Sequence, residues 1–184
     1  MKTGVLRIAP FLLAIAFTAT FASAQLNSGA QPITLTANLS ESLTVTLSAS
    51  AVNFTLAAGS AANAGSTNIT ATTAWVLKPS RTAIGVYAYF ASAAAALTDG
   101  AGDNIPSSDF FIADNAGAST ALTATVPFGG ALAGLQLANV PITAANRSAT
   151  RTDAMAFNIN LSTLPTLPAA TYTGTLNIQA QATP

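Results

Sequence analysis

Cysteine and histidine are both missing from this chain of 184 residues. Their absence removes Ser-His-Asp and Cys-His catalysis, and with them the His/Cys sites that hold zinc and copper. It also removes disulfides, so the fold has to be held by its packed core alone. Charge is scarce: Asp, Glu, Lys and Arg make up 7% of the residues, against about one in four in an average soluble domain. Beyond position 25 the only basic residues are Lys78, Arg81, Arg147 and Arg151. With no basic patch to release counterions, nucleic acid is not an expected partner. Thr, Ser, Asn and Gln must then supply most of the wet surface, and a surface so weakly charged favours self-association. Aromatic residues, also 7% of the chain, are too few for the two girdles of a transmembrane β-barrel.

What is present begins with an export pattern. Lys2 and Arg7 precede the apolar run FLLAIAFTATF (Phe11 to Phe21), and Ala22, Ser23 and Ala24 follow it as a small-residue cleavage site. The expectation is a signal peptide over residues 1–24 and a single domain over residues 25–184. No later run approaches the roughly 20 apolar residues of a spanning helix, so no membrane insertion is expected after cleavage.

Helical periodicity is hard to find in the remainder, while alternation of period two recurs throughout. ITLTANLSESLTVTLSA places Ile33, Leu35, Ala37, Leu39, Leu43, Val45, Leu47 and Ala49 on one parity, with a bend expected at the Glu41 interruption. Val52 to Leu56 shifts parity, and Ala57 to Ser66 reads as a Gly-punctuated loop. NITATTAWVL sets Ile69, Ala71, Thr73, Trp75 and Leu77 on one side, which makes Trp75 a core residue. AIGVYAYF puts Ile84, Val86, Ala88 and Phe90 on one face and Tyr87 and Tyr89 on the other. Ser92 to Leu97 has helix-favouring composition but is short and uncapped. Further strands are expected at Phe110 to Ala113, Ala121 to Phe128, Leu135 to Ile142 and Ala154 to Leu161. Pro127 and Pro141 mark strand ends or sheet edges. The last segment alternates Tyr172, Leu176, Ile178 and Ala180 against Thr and Gln, which places Leu176 and Ile178 in the core. The fold class that follows is all-β, an antiparallel β-sandwich of about eight to ten short strands.

The closing stretch LPAATYTGTLNIQ resembles the final strand of secreted bacterial pilin-like sandwiches, the spore-coat-U-type domains and chaperone–usher fimbrial subunits. The shared pattern falls on Pro168, Ala169, Tyr172, Gly174, Leu176 and Ile178. It covers about a dozen residues, and the cysteine pair or terminal aromatic of many such proteins has no counterpart here. The resemblance implies a bacterial protein that is secreted, periplasmic or at the cell surface, in a structural or interaction role such as a pilus-like or surface-assembly subunit. Its partners would be copies of itself or other surface subunits. Such subunits can leave one sheet edge open to a strand from a neighbour. QPITLTANL (Gln31 to Leu39) has the alternation a donated strand needs, and equally that of the first strand of its own sheet.

Candidate chemistry is thin. Lys78, the one lysine beyond the signal segment, sits in a Pro-Ser turn, and the acids crowd into turns rather than flanking a cleft. A hydrolase with a carboxylate pair would need two acids about 5–9.5 Å apart. No enzyme activity and no catalytic residues are therefore expected. DGAGDN supplies Asp99, Asp103 and Asn104 as hard oxygen donors, the one place where calcium could bind; no other cofactor is implied, and the alternative is ordinary turn chemistry. Tyr87 and Tyr89 share a strand face and could stack on a glycan, unless a second layer or a loop covers them. The alternative function is thus a small adhesin or carbohydrate-binding module.

Overall fold

The computed structural model describes residues 26–184; the expected signal peptide and its cleavage point lie outside the described residues. The chain divides into two units, Met1–Ala37 and Asn38–Pro184. Within the first, residues 26–37 carry no strand and every side chain is exposed.

The second unit is all-β, with antiparallel sheets and no α-helix among the described residues. Its strands are β1 (Ser42–Leu47), β2 (Asn63–Ala64), β3 (Ile69–Val76), β4 (Ala83–Tyr89), β5 (Leu97–Thr98), β6 (Asn104–Ile105), β7 (Phe110–Asp114), β8 (Ser119–Ala121), β9 (Gly134–Pro141), β10 (Ser148–Ile159) and β11 (Asn177–Thr183). The larger sheet runs β1-β3-β10-β7-β8 with β2 added to β10; the smaller runs β11-β4-β9; β5 and β6 pair as a short ribbon.

Alternation drives the core. On β3, Ile69, Ala71, Thr73 and Trp75 are buried, and on β4, Ile84, Val86 and Ala88 are fully buried. Side chains from both sheets meet in the same apolar clusters, consistent with a sandwich-like fold. Trp75 is core, and its indole N–H donates to the Asn146 carbonyl at 2.8 Å, which satisfies the one polar atom it buries. On β9, a register shift opposite Val86 and Tyr87 leaves Leu137 and Ala138 both packed inward, as a bulge allows.

Several expectations are corrected. Gln31 to Leu39 forms no strand; Ile33, Leu35 and Leu39 are 83%, 88% and 86% exposed. Val52 to Leu56 makes one isolated bridge, Phe54 to Gly65, and the stretch after Ala121 makes only the bridge Ala124 to Gly134. Leu176 precedes β11 and, like Ile178, is half-buried rather than enclosed. Strand β10 extends back to Ser148, through charged residues that had hidden it.

Candidate functional site

The half-buried apolar residues are not scattered. Val52, Phe54, Leu56, Leu167, Tyr172, Leu176 and Ile178 all pack on the rim of the main core, and they line one groove of about 870 Å3. One bank is the chain after β1 and the other is the chain leading into β11. The floor is core: Ile69, Phe90, Phe110, Met155, Phe157, Ile159 and Leu161. Two sheet ends flank it, because β1 ends the larger sheet and β11 ends the smaller one.

Local chemistry fixes the β11 bank. The Tyr172 hydroxyl donates to the Pro168 carbonyl four residues back at 2.9 Å, and burial pushes its phenol pKa up. Thr173 exchanges both backbone hydrogen bonds with Thr98 at 2.9 Å. Gly174 lies so close to the Ala96 carbonyl that any Cβ would collide with it. These bonds hold the bank in place, and among the described residues β11 has a strand on one side only.

At the start of β1 the Glu41 carboxylate accepts Nε of Arg81 at 3.1 Å and the backbone N–H of Lys78 at 3.0 Å. Arg81 also donates to the Ala182 carbonyl on β11 at 3.3 Å. The hydrogen bond from Arg81, then that from Lys78, lowers the Glu41 pKa from the ordinary 4.5 to about 2.

A buried polar layer escaped the sequence reading. On β3, Thr73 stands between Ala71 of one apolar cluster and Trp75 of the other; on β10, Asp153 and Arg151 stand between Met155 and Ala149. Asp153 is fully buried and accepts Nε of Arg151 at 3.0 Å and Nδ2 of Asn115 at 3.2 Å. Asp114 lies beside them with Oδ1 unpartnered; burial first, and the Asp153 charge second, push its carboxyl up. The arrangement is an ion pair with its own amide support, closed off from the groove lining. Two charges at inward parity of an alternating strand were the signal that could have found it.

The acidic turn is the tip of the β5–β6 ribbon. Asp99 Oδ1 accepts the backbone N–H groups of Ala101, Gly102 and Asp103 at 2.8, 3.1 and 3.0 Å. These bonds, that from Ala101 foremost, hold the Asp99 carboxyl below its ordinary range. Asn104 Nδ2 donates to the Gly102 carbonyl at 3.1 Å. One Asp99 oxygen and the Asn104 amide nitrogen are thus engaged within the turn.

Tyr87 and Tyr89 lie on the outer face of β4, half-buried, with Phe128 of the β8–β9 loop packed against both at ring-centroid distances of 6.0 and 5.8 Å. The structure thus keeps the two tyrosines together on one strand face, and neither lines the groove. No protein-family model, curated protein or solved structure matches the chain.

Proposed function

We propose that this chain is an exported structural subunit that joins to copies of itself by strand donation. The observation that carries the reading is a mismatch inside one sequence: an apolar groove is lined by the segment leading into β11, an end strand of the smaller sheet, while residues 31–39 alternate like a strand and form none among the described residues. An added strand supplies backbone partners to the edge and alternate side chains to the groove. Ile33, Leu35 and Leu39 fit that role, each contributing about 1.5–3 kcal/mol when fully buried. Ordering the segment offsets part of this gain. The Tyr172 to Pro168 hydrogen bond supports an Ig-like reading, since such sandwiches fix a corner with a tyrosine bonded to backbone a few residues upstream. The scarcity of charge fits a surface made to meet copies of itself.

The test removes the donor and adds it back. A chain lacking Gln25 to Leu39 is expected to fold and to stay monomeric in light scattering, where the chain from Gln25 forms larger species. A synthetic peptide of Gln31 to Leu39 is expected to bind the truncated domain and raise its Tm. A truncation that unfolds, or a folded one that assembles as well as the longer chain, would make the segment something other than a donated strand.

A further inference from the structure

The outer face of the smaller sheet is a second surface, independent of the groove. The register of its three strands sets nine positions in three rows across β9, β4 and β11: Gly134, Tyr89 and Asn177; Gln136, Tyr87 and Gln179; Asn139, Gly85 and Gln181. Ile84, Val86 and Ala88 point into the core, so the intervening residues of β4 point out. Two tyrosines thus form a central column with carboxamides on either side. The Tyr89 hydroxyl donates to Gln179 Oε1 at 2.7 Å. The Tyr87 phenol lies over Gly85, where any Cβ would collide with it. The β8–β9 loop covers part of this face: the Phe128 ring, inclined 71° to Tyr87 and 32° to Tyr89, packs against both, and Gly129 lies so close to Tyr89 that any Cβ would collide with it, yet all three rings keep partial exposure.

The three strands contain no Asp, Glu, Lys or Arg. A ligand matched to this face carries no net charge, because a charged one would lose its hydration with nothing to pair it. Carboxamides offer donors and acceptors together, as hydroxyl groups do. Aromatic rings offer apolar area with a polar tip. A molecule presenting C–H faces and a periphery of hydroxyls meets all three conditions. We infer that the Tyr87–Tyr89 face, flanked by Gln136 and Gln179, binds neutral carbohydrate chains.

The protein from Gln25 to Pro184 is titrated by calorimetry with cellohexaose, laminarihexaose and chitohexaose, and with oligogalacturonate as the anionic control. At least one neutral hexasaccharide is expected to bind. Tyr87→Ala is expected to weaken it by about tenfold or more, and Gln136→Ala, an exposed change that leaves the rings in place, by several-fold. Circular dichroism and Tm confirm that each variant is folded. Should Tyr87→Ala misfold, the Gln136→Ala and Gln179→Ala affinities decide. No binding of any neutral sugar, equal or better binding of oligogalacturonate, or binding unchanged in folded variants would overturn the inference. So would a face that Tyr87→Ala shows to be a contact between copies, with assembly altered and no sugar bound.

Discussion

Among single residues, Asp153 has the sharpest consequence. Its carboxylate is fully buried between two apolar clusters and is balanced by Arg151 and Asn115. Removing one partner of a buried pair leaves the other charge uncompensated. Asp153→Ala is expected to cost about 3 kcal/mol, the low end of the range for such pairs, because Arg151 keeps some contact with water. Asp114 runs the other way. Burial raises its pKa above the ordinary 3.8, so its charge opposes folding at neutral pH, and that cost fades as pH falls through the raised value. Asp114→Asn should therefore hold or raise the denaturation midpoint at pH 7. Urea unfolding of both variants checks the pair, and a silent Asp153→Ala would contradict it. The alternation of β10 was legible from Ala154 onward, but a charged residue at inward parity reads as solvent-facing until the partner that neutralises it, distant in sequence, is known.

The elements show where period-two reading succeeds. Strands β3 and β4 follow their alternation because one face of each meets a core, and β9 follows it on either side of its bulge at Leu137 and Ala138. The same pattern over Gln31 to Leu39 was legible, but its pairing was not, since alternation records which side chains want burial and not which strand covers them. The expected strand over Ala121 to Phe128 fails where Ala124 keeps a single bridge and Pro127 lacks a donor. Strand β1 starts at Ser42, immediately after Glu41, whose bonds to Lys78 and Arg81 fix the point where it departs. The Glu41 pKa falls from 4.5 to about 2 on folding. Its contribution is thus complete above the unfolded value and lost as pH drops through the folded one. Thermal unfolding of the protein and of Glu41→Gln should differ at pH 6 and converge as pH approaches 2. A gap that stayed constant over this window would show that the ion pair is not what sets the difference.

At the scale of the whole molecule, the groove reinterprets the end of the chain. Leu176 and Ile178 have the alternation of a core strand, yet both are half-buried on the rim of an open groove. A single sequence displays apolar positions but not the groove they line, so the opening was legible only once the sheets were laid out. The proposed strand donation would give those side chains a cover drawn from another copy. Because the chain has no cysteine, introduced thiols report on this contact without background. Leu35→Cys and Leu176→Cys chains, purified separately, are unfolded, refolded together and treated with a short bis-maleimide. The account predicts a covalent dimer joining one chain of each kind, absent when either variant is refolded alone. No dimer in the mixture, or a Leu35→Cys/Leu176→Cys double variant that cross-links only within a monomer, would contradict it.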